Sequence, residues 1–233
     1  MGETVFYAPQ CSGSVACAAE YLKQAGFVFS PVPTKTVTHL LLGIPAALPD
    51  KILEELSPDV TVVGGKLPKL PGYKTLDFLD DPVFVAENGD ITARCAIALA
   101  SQKLPVTWKK LPVLVIGWGR IGKCLARLLR AQDAEVTVVV RRPEAQAMAK
   151  ALGYRAVAKP ENLNTYRVVF NTADGVGVET IPYRLNIDLA TEQGLLGKNV
   201  VWARGLPGKL APESAGQLMA ETLLSLLNER SRL

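Results

Sequence analysis

The chain has 233 residues, and its 26 basic and 22 acidic side chains leave a net charge of +4, too mild and too dispersed for a nucleic-acid partner. Apolar residues make up 48%, yet no run approaches the roughly 18 that a membrane span requires. The opening MGETVFYAPQ lacks the basic and apolar regions of a signal peptide, so a cytoplasmic protein with no membrane association is expected.

In chain order, Thr4–Ala8 reads as a strand, Ser14–Gln24 as a helix ending at Gly26, and Phe27–Phe29 as a second strand. Thr38–Leu42 is a third strand, Pro49–Leu56 a short helix with Asp50 as N-cap, and Asp59–Val63 a fourth strand stopped by Gly64 and Gly65. The Pro-rich KLPKLPGY at Lys66–Tyr73 is a connection, followed by strand-like pieces at Tyr73–Leu79 and Val83–Val85. Helical spacing of Ile91, Cys95, Ala98 and Leu99 predicts a linking helix over Ile91–Gln102.

A second domain begins near Leu111, with strands at Val113–Ile116, Val136–Val140, Tyr154–Ala156, Val168–Asn171, Leu185–Asp188 and Val200–Trp202. Its helices are Ile121–Ala131, Glu144–Leu152 and a short Pro160–Leu163 segment. A loop, Gly205–Gly208, leads into a final helix over about Ala211–Asn228. The alternation of strands and helices predicts two Rossmann-like α/β domains: a doubly wound parallel sheet, and a smaller flavodoxin-like N-terminal domain. The expected division is 1–86, a connection 87–110, a nucleotide-binding domain 111–208, and 209–233 packing back across the domains.

The four cysteines, Cys11, Cys17, Cys95 and Cys124, show no metal-ligand spacing, and the chain has one histidine. A zinc site or a disulfide framework is therefore not expected. Cys17, Cys95 and Cys124 lie among Ala and Leu on predicted helices and read as free thiols.

Chemistry concentrates where VLVI at Val113–Ile116 runs into Gly117-x-Gly119-x-x-Gly122 and then a helix. Strand, glycine turn and helix in that order form a dinucleotide-binding fingerprint. Gly117 allows the turn, Gly119 lets backbone approach a pyrophosphate, and Gly122 lets the helix pack on the strand. The helix start at Arg120 and Ile121, with Trp118 in the turn, supplies N–H groups and a positive dipole end. The second strand would end in Asp or Glu in an NAD-selective domain, but here it ends Val140, Arg141, Arg142. A carboxylate would repel a 2′-phosphate, whereas guanidinium groups pair with it. NADP is the expected cofactor, with Arg141 and Arg142 as selectors; two solvated arginines at a strand end are the plainer alternative.

The C-terminal residues Arg204–Ala220, RGLPGKLAPESAGQLMA, resemble the GLPG-x-x-AP-x-(S/T)-AG block of the dipicolinate synthase A-subunit family. In the same order GWGRIG at Gly117–Gly122, VVVRR at Val138–Arg142, Phe170-Asn171-Thr172 and Ile187–Ala190 (IDLA) are similar to that family, over about Glu87–Leu227. The resemblance implies NADP-dependent dehydrogenation of a dihydrodipicolinate-type cyclic dicarboxylate. It also implies a flavoprotein-like partner subunit and a setting in sporulation. The chain departs from the family at Asp174, where the family has proline, at Arg94 and Cys95, which replace its glutamate and glycine, and in the shortened Thr191–Lys198.

Asn171, Thr172 and Asp188 lie where strand ends meet a cofactor in doubly wound sheets, though a polar strand cap explains them as well. Gly205 and Pro207 form a rigid turn able to face an anion. Lys209 and Arg204 beside it, and Ser214 early in the last helix, are substrate-side candidates, the small residues there being equally compatible with close helix packing. Asn88, Thr92 and Arg94 begin the linking helix, whose N-terminus would favour an anion in an interdomain cleft. A homo-oligomer is expected, although the sequence defines no interface. His39 lies inside an apolar strand, and no histidine follows Leu111. That argues against hydroxyacid chemistry with a histidine acid/base. A non-catalytic NADP-binding sensor or partner subunit remains the alternative.

Overall fold

The computed structural model describes residues 3–9 and 13–230, without the side chains of 229 and 230; Cys11 lies outside the described residues. The strands and helices run, in order, β1 (Val5–Tyr7), α1 (Gly13–Gln24), β2 (Val28–Phe29), β3 (His39–Leu41), α2 (Ile52–Glu55), β4 (Thr61–Gly64) and β5 (Lys74–Asp77). They continue as α3 (Pro82–Lys103), β6 (Pro112–Ile116), α4 (Arg120–Arg130), β7 (Glu135–Val139), α5 (Pro143–Ala151), β8 (Arg155–Val157), β9 (Val168–Asn171) and β10 (Val178–Glu179). The last are β11 (Leu185–Asp188), β12 (Leu195–Leu196), β13 (Val200–Trp202), α6 (Leu206–Leu210) and α7 (Pro212–Arg230). The chain divides into two compact units, one comprising residues up to Asn88 and from Pro207 onward, the other Gly89–Leu206.

The first unit holds a parallel five-stranded sheet in the order β2-β1-β3-β4-β5, the flavodoxin-like arrangement. Strands β3 and β4 are buried on both faces: Leu40 and Val62 pack with Leu42, Val60, Val37, Ile52 and Leu56, and Leu41 and Val63 between them are also inaccessible. Burial on two faces is why these segments read as continuous apolar runs rather than alternating ones. The histidine of β3 stays structural, its ring 5.0 Å from that of Phe6 and its Nδ1 2.9 Å from Thr38 Oγ1. The final helix α7 packs on α1, where a Cβ on Gly216 would lie 2.5 Å from Cys17 Cβ and 2.6 Å from Ser14 O. Helix packing therefore accounts for the small residues Ala215 and Gly216, both buried, while Ser214 beside them is exposed.

The second unit carries a parallel six-stranded sheet ordered β13-β11-β9-β6-β7-β8. In sequence order from the middle outward this is the doubly wound nucleotide-binding arrangement, with its reversal point between β6 and β9. Helix α4 buries Gly122, Leu125, Ala126 and Leu129 at helical spacing and leaves Lys123, Arg127 and Arg130 in solvent. Residues 104–111 are tied to this sheet through Trp108, whose ring stacks at 6.4 Å on Phe170 of β9 and whose Nε1 donates to Ser101 Oγ.

Four local readings change. Val83–Val85 is not strand but the first turn of α3, because the Asp81 carboxylate accepts from the N–H groups of Val83 and Phe84 at 2.7 and 2.9 Å and Pro82 suits the first helical position. Asp50 does not cap α2; the residue before the helix is Lys51, in left-handed backbone and with no side-chain cap. The Pro160–Leu163 helix is instead one 3-10 turn at Leu163–Thr165, displaced by the left-handed backbone of Asn162. Gly205–Gly208 is not a plain turn, since Leu206–Leu210 is helical, with the Ala211 N–H donating to Pro207 O at 2.9 Å. Among the described residues no helix is long and apolar enough to cross a membrane.

Candidate nucleotide-binding site

Strand β6 delivers the chain to Gly117, whose φ of +104° and lack of space both require glycine; a Cβ there would run into Thr172 Oγ1. A Cβ on Gly122 would run into Gly117 O, so α4 sits directly against the turn. Gly119 differs from both. A Cβ there meets nothing within 4 Å, so its hydrogen faces the open space that a close-lying ligand would fill. Gly119 also precedes α4 with no side-chain cap, and no acidic residue lies in the first helical turn. The N–H groups of Arg120, Ile121 and Gly122 are thus left to an anion.

The turn opens into a cleft of about 730 Å³ at the carboxyl ends of the strands. On one side lie Trp118 and Gly119, and beyond them Arg141 and Arg142 at the end of β7, with Lys159 after β8. The other wall is apolar, formed by Ala173, Val176 and Val178, with Glu179 as its acidic residue. The floor is Ile116 and Val139, which pack with Leu114 and Val169 of the core. Such a cleft, with one apolar wall and a few converging cations, suits an adenosine carrying phosphate groups. Trp118 is held edge-on to Tyr154 at 5.3 Å, and Arg130 lies over the Tyr154 ring at 4.2 Å. Arg141 and Arg142 are exposed, and the Arg142 guanidinium lies 3.6 Å from Glu144 in a loose surface pair.

The polar strand ends do something else. Asp188 is inaccessible, and its carboxylate accepts from Asn171 Nδ2, Ala190 N, Gly194 N and Leu195 N at 2.7–3.0 Å. Asn171, also inaccessible, exchanges hydrogen bonds with Ala173 at both its amide atoms. Thr172 Oγ1 donates to Ile116 O and backs the glycine turn. These three residues hold the loops around the cleft together, and the side-chain atoms of Asn171 and Asp188 are spent on that task. The connections β9–β11 and β11–β13 contain no helix; each contributes a two-residue strand, and β10 pairs with β12 in parallel. Gly194 must be glycine for the same reason, because a Cβ would press on Val176 and Asn171.

The substrate-side candidates scatter. Because α3 starts at Pro82, Asn88, Thr92 and Arg94 lie in its interior and not at its N-terminus, so the helix dipole gives them no special hold on an anion. Arg94 Nε pairs with Asp90 at 2.6 Å, and Arg127 of α4 reaches the other oxygen at 3.1 Å. Burial pushes the Asp90 carboxyl up, but the hydrogen bonds and charges of these two arginines outweigh it and hold it below its usual value. The Cys124 thiol beside Asp90 is pushed up, first by burial and then by that carboxylate, and burial alone raises Cys95. Cys17, Cys95 and Cys124 are all free thiols. Arg204 lies just past β13, stacked over Trp202 at 5.5 Å and donating to Thr191 O. Gly205 is exposed in left-handed backbone, Pro207 lies early in α6 in half-buried surroundings, and Lys209 and Ser214 are exposed in the other unit. Among the described residues no group of three His, Cys, Asp or Glu side chains is arranged to hold a metal.

Lys159 is a cleft residue that the sequence motifs do not announce. A signal for it exists all the same: it stands two residues past the end of β8, as Arg141 stands two past the end of β7.

The TrkA-N domain model matches residues 113–160, which span the glycine turn, α4, β7, Arg141, Arg142 and Lys159. Over 159 residues the chain is 30% identical to the dipicolinate synthase A subunit of Bacillus subtilis (strain 168), a match covering 61% of this chain and 54% of the relative. The matched part is thus little more than half the length of that curated relative. The crystal structure of the dipicolinate synthase A subunit from Bacillus halodurans superposes with a TM-score of 0.77 at 20% identity, covering 97% of this chain and 98% of that one. A transhydrogenase from Sinorhizobium meliloti gives 0.71 at 14% identity, covering 97% and 92%. At these identities the structural likenesses establish the fold. Over its matched part the chain is similar to the dipicolinate synthase A subunit, and its fold is of the dehydrogenase type that binds nicotinamide nucleotides.

Proposed function

We propose that the protein is a cytoplasmic NADP-dependent oxidoreductase acting on a dihydrodipicolinate-type cyclic dicarboxylate, working with a flavoprotein-like second subunit. The single observation carrying this reading is the glycine turn that opens onto unfilled space at Gly119 while two arginines, and no carboxylate, end the next strand.

The residues fit such a cofactor. The backbone N–H groups of Arg120–Gly122 and the positive end of α4 receive a pyrophosphate. Val176 and Val178 offer an apolar wall to an adenine, and Arg141 and Arg142 offer guanidinium groups to a 2′-phosphate. When bound, the nicotinamide supplies hydride acceptance, and the aromaticity of the product favours that step. Arg204, pre-oriented by Trp202 and the Thr191 carbonyl at the carboxyl end of the sheet, offers a cation to a substrate carboxylate. The remaining task is to hold the ring in line and accept a proton.

Two observations favour a second reading, a non-catalytic NADP-binding sensor or partner subunit. Asn171 and Asp188 are consumed by internal hydrogen bonds, and Arg94, which replaces the family glutamate, is engaged with Asp90. An absorbance assay of NADP reduction with dihydrodipicolinate, run with and without the flavoprotein-like subunit, separates the two. Turnover is the expected result. Tight NADPH binding with no turnover under either condition would establish the second reading instead.

A further inference from the structure

We propose that Lys159 is a specificity-determining residue that completes a three-cation grip on the 2′-phosphate, an inference that rests on the nicotinamide-nucleotide reading of this cleft. Strands β7 and β8 pair in parallel, with Val139 opposite Val157 as the last register pair. The Val140 N–H then donates to Val157 O at 2.9 Å, which keeps the two chains together as they leave the sheet. Arg141 and Lys159 each stand two residues beyond that pair, so neighbouring strand ends, about 4.8 Å apart, present one cation each. Both residues line the same cleft. Neither has a salt bridge or side-chain hydrogen bond among the described residues, whereas Arg142 is already drawn towards Glu144.

Two exposed cations on adjacent strand ends repel each other weakly through solvent, and a dianion placed between them attracts both. A 2′-phosphomonoester carries nearly two negative charges near neutral pH and three acceptor oxygens, a match that a ribose hydroxyl lacks. An ammonium on a flexible stem also suits this position, since it adapts to phosphate as a point charge while the guanidinium supplies the directional bonds. Among the residues lining the cleft Glu179, on β10, is the one carboxylate.

Calorimetric titrations of the full chain with NADPH and NADH, and with 2′,5′-ADP and 5′-AMP, test this on the unmodified protein, Lys159→Gln and Lys159→Arg. Lys159→Gln is expected to weaken NADPH and 2′,5′-ADP about tenfold, the size of one charge-assisted contact, while NADH and 5′-AMP keep their affinities and Lys159→Arg restores most of the loss. Equal weakening of both cofactors would assign Lys159 to the pyrophosphate and overturn the proposal, as would an unchanged NADPH affinity. NADPH selectivity that is undiminished in Lys159→Gln defeats this inference alone; failure of the unmodified protein to bind any of the four nucleotides defeats the cofactor reading with it. Lys159 is exposed, so the variants retain the fold, and circular dichroism verifies this.

Discussion

The two halves of the six-stranded sheet bind their loops by different means. On the β6–β8 side, helices α4 and α5 cover the crossovers, the key positions are glycines and cations, and the cleft surface is left with unmet bonding capacity: bare N–H groups at Arg120–Gly122 and unpaired charge at Arg141 and Lys159. On the β9–β13 side no crossover helix exists, a two-strand ribbon of β10 and β12 takes its place, and a single buried carboxylate, Asp188, gathers three backbone N–H groups and one amide. The first half is open-ended and the second is closed on itself. Unmet capacity marks a surface prepared for a ligand, while complete internal bonding marks a scaffold.

The largest effect that would sharpen this contrast is on Asp188. Asp188→Ala leaves three buried backbone N–H groups without their acceptor and Asn171 Nδ2 with Ala173 O as its remaining one, and should cost about 4 kcal/mol, read as a fall in the denaturant midpoint. A loss below about 1 kcal/mol would mean that the ribbon does not depend on it. Gly119→Ala should do the reverse: the added methyl meets no protein atom, so the melting temperature stays put while NADPH binding weakens more than tenfold, about 1.4 kcal/mol or more. Loss of stability without loss of binding would reverse the roles given to this turn. Replacing Arg141 and Arg142 together by alanine should erase most of any NADPH preference and leave NADH affinity within about twofold. The preference itself should shrink as salt is raised.

The smallest effect concerns Asp90, which joins α3 to α4 outside the cleft. Its folded-state pKa is depressed, so its contribution is full above the ordinary value of 3.8 and is lost as pH falls through the folded value. Its arginine partners are more than half exposed, which limits the contribution to under about 1 kcal/mol. Asp90→Asn should therefore lower stability slightly at neutral pH and converge on the unmodified protein in acid. A difference that grows on acidification would mean the ion pairs are not its source.

Much of this is legible in the chain. Strand β9 falls on the apolar run that announces it, because double burial leaves a continuous signal. The three glycine roles follow from the strand-turn-helix context alone. The start of α3 is hidden because Val83, Phe84 and Val85 favour strand by propensity, and a single aspartate cap overrides that. The closure of Asn171 on Asp188 is hidden for a different reason. The two are 17 residues apart in sequence and meet only through the register of β9 with β11, so each alone reads as a polar strand end awaiting a ligand. Lys159 is hidden because no motif spans β7 and β8; only their pairing brings it beside Arg141.

The most direct measurement is a paired calorimetric titration of the unmodified protein with NADPH and NADH. Saturable binding of both is expected, with NADPH at least about tenfold tighter. Equal affinities would contradict the role given to the cations at the ends of β7 and β8, and the absence of any binding would contradict the assignment of the cleft as a nucleotide site.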